Sequence, residues 1–175
     1  FGQVQNIVID SNDNIFFADE SHQIIKKVTP EGVVTTIAGN GNWDYADGFG
    51  TNAKFRQPSY LAIDSDDNLY VSDRENNRIQ IFSPDGELLD IWTDGLLGPG
   101  DIHFQGNIAY VVEQSEGSGI SIWDVSTGEV ITRWRGIPEI CEAVHGCAVD
   151  SNGNIFIAEI GMGDAGQRIR KLNKV

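Results

Sequence analysis

The chain is short of positive charge. It has 12 Lys and Arg against 26 Asp and Glu, a net charge of −14 over 175 residues. Nucleic acids and anionic membranes draw most of their protein affinity from clustered Lys and Arg, so neither is expected as a partner. The same balance favours solubility and suits cationic ligands or metal ions, although an acidic surface needs no ligand at all. No apolar run approaches the ~18 residues of a membrane-spanning helix. No stretch of useful length has a helical period. There is no Gly-x-Ser-x-Gly, no phosphate loop and no helical His pair, and so no nucleophile with a base beside it. The run Ser115-Glu116-Gly117-Ser118-Gly119 lacks the strand-to-helix setting that a nucleophile elbow needs.

Cysteine is also scarce. Cys141 and Cys147 are compatible with a small disulfide between a linker and the following strand, and equally with two thiols. Two cysteines do not fix the compartment, though an oxidised, extracytoplasmic or secreted setting is slightly favoured. The sequence opens on Phe1 rather than Met, which fits processing or truncation, and a cleaved signal peptide would leave no trace.

What the chain does have is a repeat. Ile9-Asp10-Ser11-Asn12-Asp13-Asn14-Ile15-Phe16-Phe17-Ala18-Asp19 returns as Ile63-Asp64-Ser65-Asp66-Asp67-Asn68-Leu69-Tyr70-Val71-Ser72-Asp73. It returns again as Val149-Asp150-Ser151-Asn152-Gly153-Asn154-Ile155-Phe156-Ile157-Ala158-Glu159. A shorter, degenerate copy runs from Phe104 through Asn107 to Glu113. The aligned residues Asn14, Asn68, Asn107 and Asn154 are 54, 39 and 47 residues apart, so the loops vary in length while the unit stays near propeller-blade size. Each unit reads as four short strands with a turn between each. The turn after the third strand is closed by Gly in Pro30-Glu31-Gly32, Pro84-Asp85-Gly86 and Ser126-Thr127-Gly128, where glycine supplies the positive φ. This is the pattern of β-propeller blades. The expected fold is all-β, a propeller of four-stranded antiparallel blades at about 1–39, 55–92, 99–134 and 143–175. By length the chain is one domain. Its last unit stops after a third strand, so further blades or a second chain are expected to complete the ring.

The second unit carries a family resemblance. Gln57-Pro58-Ser59-Tyr60-Leu61-Ala62-Ile63-Asp64, followed by Asn68 through Phe82, resembles an NHL repeat. The linker Ile37-Ala38-Gly39, Asp47-Gly48-Phe49-Gly50-Thr51 and Ala53-Lys54-Phe55 resembles NHL linkers. A narrower resemblance, in Asp73-Arg74-Glu75-Asn76, in Gly119 to Trp134 and in Val144-His145-Gly146-Cys147-Ala148-Val149-Asp150, is to the peptidyl-α-hydroxyglycine α-amidating lyase group and its bacterial relatives. It implies a six-bladed ring in which one His from each of three blades, at the start of the innermost strand, holds zinc at the axis. Three neutral imidazoles and an open position make a catalytic zinc site. The family position lies five residues before the strand-ending Asp. It falls on Gln5, Ser59 and His145, and near Gly100 in the degenerate unit, so only His145 matches. His103 lies about three residues further along its strand, and His22 sits in a connection. The tyrosine that the lyases use is replaced by Glu75.

Calcium is the other metal considered. Asp64, Asp66 and Asn68 fit the start of an EF-hand loop and Glu75 falls at its twelfth place, but Leu69 stands where the loop needs Gly. The pattern recurs at Asp10-Asn12-Asn14 and Asp150-Asn152-Asn154, as a structural Asp/Asn turn would. Asp73 with Arg78, and Glu159 with Arg168, are expected to form partly exposed scaffold pairs. Gln23 replaces the Arg in the first unit, which should lack one. The loops around Glu116 and Asp164, and the aromatic linker tip Trp43-Asp44-Tyr45, are the expected partner contacts. The sequence thus points to a propeller that binds a protein or small ligand, with a metal-dependent lyase or hydrolase carrying His145 as the alternative. No cofactor is certain; zinc and calcium are the ones in question.

Overall fold

The computed structural model describes residues 2–115, 117–135, 144–160 and 167–172. Strands β1 (Val4–Ile9), β2 (Ile15–Asp19), β3 (Ile24–Val28) and β4 (Val34–Ala38) form the first antiparallel sheet. Strands β5 (Pro58–Ile63), β6 (Leu69–Asp73), β7 (Arg78–Phe82) and β8 (Leu88–Trp92) form the second. Strands β9 (Pro99–Gln105), β10 (Ile108–Glu113), β11 (Gly119–Asp124) and β12 (Glu129–Arg135) form the third. Strands β13 (Val144–Val149), β14 (Ile155–Ile160) and β15 (Gln167–Leu172) form the fourth, three-stranded among the described residues. Every sheet is a simple meander in chain order, which is the blade of a β-propeller. The chain divides into two compact units, residues 1–93 with the first two blades and 94–175 with the others. No described helix is long and apolar enough to cross a membrane.

Each unit has its own apolar core. In the first unit Phe16, Ala18 and Ile25 of the first blade pack with Leu61, Leu69 and Val71 of the second. In the second, Tyr110, Val112 and Ile120 pack with Val144, Ile155 and Ile157. Strand alternation sends these residues to facing surfaces, and each large aliphatic side chain so buried contributes roughly 1.5–3 kcal/mol.

The repeated acidic turn joins the first two strands of three blades in the same way. One oxygen of Asp10 accepts the amides of Asn12 and Asn14 at 2.9 and 2.8 Å, and the other accepts Asn14 Nδ2 at 2.8 Å. Asp64 and Asp150 repeat all three bonds at 2.8–3.0 Å. The carboxylate lone pairs are therefore committed to the turn itself. The chain turns through positive φ at Asp13 (61°), Asp67 (63°) and Gly153 (80°), which explains why glycine and aspartate alternate at this place.

Candidate functional site

Each blade ends its second strand in an acid, and all four are buried: Asp19, Asp73, Glu113 and Glu159. Each stands opposite the first residue of the inner strand, in the pairs Val4–Asp19, Pro58–Asp73, Pro99–Glu113 and Val144–Glu159. Three of them accept the backbone N–H two residues before that strand: Gly2 at 3.0 Å, Arg56 at 2.7 Å and Leu97 at 3.1 Å. The acid thus fixes where the linker becomes the strand.

The counter-charges differ. Arg78 Nε lies 2.7 Å from Asp73 with both side chains fully buried, so this pair is not the partly exposed one that the sequence suggested. Burial pushes the Asp73 carboxyl up, opposed by the Arg56 amide, Asn76 and Arg78. Glu159 pairs with Arg170 at 2.7 Å. The expected partner Arg168 is opposite it in register, but its side chain lies outside the described residues. Glu113 draws its cations from β12, bonding Arg133 Nε at 3.1 Å and also Arg135. Asp19 has no Arg. Burial opposes its ionisation, but the Gly2 amide and His22 outweigh this and hold its carboxyl below the usual range.

Arg78 does more than neutralise Asp73. Its guanidinium donates to Lys54 O at 2.9 Å and Ala46 O at 3.2 Å, pairs with Asp47, and lies 3.9 Å from the centre of the Tyr45 ring. It is the buried post to which the linker between β4 and β5 is tied. Further ties run from Lys54 Nζ to Asp44 at 2.7 Å and from Asn76 Nδ2 to Asp44 O at 3.1 Å. The Lys54 contact, then the Tyr45 amide, holds the Asp44 carboxyl below its ordinary value. On this anchored loop Trp43, Tyr45 and Phe49 are 57%, 53% and 60% exposed. Phe49 to Asn52, with Lys27, Thr29, Thr35, Thr36, Ile37, Pro84 and Asp85, line a cleft of about 520 Å³ in the first unit. Trp43 and Tyr45 are the aromatics singled out from sequence. Phe49 was not, and its signal was the same, an aromatic in a polar run.

The inner strands carry a second feature. The register slips just after the first residue of β1, β5, β9 and β13, a β-bulge of the kind that re-aims a side chain. The residues at the slip are Gln5, Ser59, Gly100 and His145, the four axial positions inferred from the resemblance. Gln5 Nε2 donates to Glu20 at 2.7 Å, and Gln57 Nε2 donates to the other Glu20 oxygen at 2.8 Å. Ser59 is buried. A Cβ on Gly100 would meet the Gln114 side chain at 2.7 Å, so Gln114 fills that place. His145 is exposed. Among the described residues no three His, Cys, Asp or Glu side chains form a group that could hold a metal. His103 is half-buried opposite Tyr110, and His22 Nδ1 is 2.9 Å from Asp19. The contact residues Glu116 and Asp164, and Cys141 of the suggested disulfide, lie outside the described residues. The Cys147 thiol is half-buried 3.6 Å from Tyr110 O, and burial pushes its pKa up.

With these blades the chain is a β-propeller protein. It carries an NHL repeat, whose family model matches residues 55–82, the blade that holds Arg78 and Asp73. No curated protein matches the sequence. Among solved structures, virginiamycin B lyase from Staphylococcus aureus is similar with a TM-score of 0.71 at 16% identity, over 98% of this chain and 55% of its own. Kuenenia stuttgartiensis hydrazine synthase is similar with a TM-score of 0.77 at 15% identity, over 97% of this chain and 46% of its own. A chain of a nidogen/laminin complex gives 0.68 at 15% identity, over 89% and 56%. The chain therefore spans about half the length of these structures, and at such identities the likeness is one of fold.

Proposed function

We propose that this chain is a binding module of the NHL-propeller kind, contacting a protein or small ligand through the linker of residues 39–57. One observation carries the reading: three aromatic side chains stand more than half exposed on a loop that a fully buried arginine holds in place. Exposed aromatics on a rigid support make contacts at little entropic cost, because the loop is ordered before the partner arrives. The adjoining cleft, rich in threonine hydroxyls, offers donors and acceptors beside them. The test is affinity capture from the source cells on immobilised chain, comparing wild type with the W43A/F49A variant, which spares the Tyr45 ring on Arg78. The reading expects molecules retained by wild type and lost from the variant, with the melting temperature of the two alike. Identical retention by both would overturn it.

A second reading, metal-dependent lyase or hydrolase chemistry, rests on His145 standing at an inner-strand bulge. The fold is found in lyases and in a chain of a protein–protein complex, so fold alone accommodates either. Stoichiometric zinc in the purified protein, lost in His145→Ala, would favour it. Metal content unchanged by that substitution would remove it.

A further inference from the structure

The chain contains two Asn-Gly dipeptides, Asn40-Gly41 and Asn152-Gly153. In such a pair the glycine amide nitrogen can attack the asparagine carboxamide, because no Cβ on the following residue blocks the approach. The reaction needs that nitrogen to give up its proton and to swing towards the side chain. An amide held in a hydrogen bond does neither without first breaking the bond. The intrinsic chemistry of the two dipeptides is the same, so the fold decides which of them reacts.

Asn152-Gly153 lies in the acidic turn between β13 and β14. There Gly153 N–H donates to Asp150 O at 2.9 Å. The bonds around it tie the turn from both sides. Asp150 Oδ1 accepts the amides of Asn152 and Asn154, both at 2.9 Å, and Asp150 N–H donates to Asn154 O at 3.0 Å. The nucleophile of this pair is therefore built into the blade.

Asn40-Gly41 opens the linker between β4 and β5. Both residues are exposed, and among the described residues Gly41 N–H has no hydrogen-bond partner. A Cβ built on Gly41 would meet only His22 O, at 3.6 Å, so the space for the attack is open. The carboxamide is prepared as well. Asn42 N–H donates to Asn40 Oδ1 at 3.1 Å. That bond closes a small ring which contains both Asn40 Cγ and Gly41 N, and so keeps the two reacting atoms together. It also places a donor on the oxygen where negative charge builds during attack, and a positioned donor there lowers the barrier.

We propose that Asn40 is a site of spontaneous modification driven by water alone, and that Asn152 is its protected copy. Gly41 N loses its proton to solvent and bonds to Asn40 Cγ. The bond from Cγ to Nδ2 breaks and ammonia leaves, closing a five-membered succinimide. Water then opens the ring at one of its two carbonyls, giving aspartate or isoaspartate. One water enters, one ammonia departs, and nothing is oxidised or reduced. Either product places a new carboxylate in the linker three residues before Trp43. Isoaspartate also adds a methylene to the main chain there, directly after the Gly39 N–H to Gly50 O bond of 3.1 Å that anchors the linker. The aromatic segment thus carries at its root a change that accumulates with age.

The test follows both asparagines in one sample. The folded chain is incubated in mildly alkaline buffer, sampled over days and digested. Each conversion exchanges an amide for an acid, read as a mass gain in its peptide, and electron-transfer fragmentation locates it and separates aspartate from isoaspartate. Residue 40 should convert several-fold faster than residue 152, with isoaspartate among its products. The same incubation in guanidinium chloride, where no turn protects either site, should bring the two rates together. Equal rates in the folded chain, or a faster residue 152, overturn the proposal. A gap that persists in the unfolded chain also overturns it, since the fold would then not be the cause. Asn40→Gln should abolish the acidic variant that appears first on ion exchange, and its persistence would assign that variant to another residue and sink the idea.

Discussion

The second and third blades solve one problem in two ways. Both bury an acid at the end of the second strand, and both use it to hold the linker amide two residues before the inner strand. Asp73 is short and takes its cation from the neighbouring strand, where Arg78 is its direct register partner. Glu113 is one methylene longer and reaches past that strand to Arg133 and Arg135 on β12. The acid's position is thus common to both, while the residue opposite it differs: Arg78 faces Asp73, whereas Gly119 faces Glu113, whose arginines come from β12 instead. The consequences differ as well. Arg78 is fully buried and ties down the linker; Arg133 and Arg135 are each about one-fifth exposed and share one carboxylate.

The largest effect should come from breaking the buried version. Arg78→Ala leaves Asp73 without its cation and takes one donor each from Ala46 O and Lys54 O. Removing one member of a buried pair costs roughly 3–5 kcal/mol. Arg133→Ala leaves Arg135 in place at a partly exposed site and should cost about 1 kcal/mol or less. Urea unfolding of the two variants measures the gap, and equal losses would mean that burial does not distinguish the blades. Arg78→Ala should also free Trp43, seen as a shift in its emission.

Exchanging the acids sharpens the same comparison. Glu113→Asp keeps a carboxylate in place but shortens its reach, so both bonds to β12 are lost, each at about 1 kcal/mol or less at this partly exposed site. Asp73→Glu adds a methylene to a fully packed site and should cost roughly 1–3 kcal/mol through crowding. If the extra methylene of Glu113 is what reaches β12, Arg133→Ala should have little further effect once Glu113→Asp is present, a result a double-mutant cycle reads directly.

Much of this was legible in the sequence, and the exceptions share a cause. Blades, turns and strand-ending acids follow from local patterns: alternation, Asp/Asn turns and Gly-closed hairpins. The Asp73–Arg78 pair was legible because its members are register partners five residues apart. The Glu113 pairs were not, because they join residues 20 and 22 positions apart across an intervening strand. The burial of Arg78 was hidden for a similar reason, since the residues that cover it come from a linker some thirty positions earlier. Trp43 and Tyr45 could be read as exposed aromatics, but not that the same arginine anchors their loop. The bulges at Gln5, Ser59, Gly100 and His145 leave no mark in composition, although counting back from each acid found their places.

The smallest expected effect concerns the tie between Ser11 and Asp67, which has no counterpart among the described residues of the second unit. There the third-blade turn reaches the fourth with a side-chain amide instead, Gln105 Nε2 donating to Asp150 O at 2.8 Å. That amide does not titrate, whereas Asp67 does. The Ser11 hydroxyl and then its amide hold the Asp67 carboxyl below its ordinary value. A depressed acid contributes stability that is present above the unfolded carboxyl pKa of about 3.9 and is lost as pH falls through the lower folded value. Asp67→Asn should therefore be slightly less stable than wild type at pH 7, with the difference closing below about pH 4. Gln105→Ala should show a difference that holds constant over the same range. Thermal melts at a series of pH values check both, and a pH-independent Asp67→Asn difference would assign the tie to shape rather than charge.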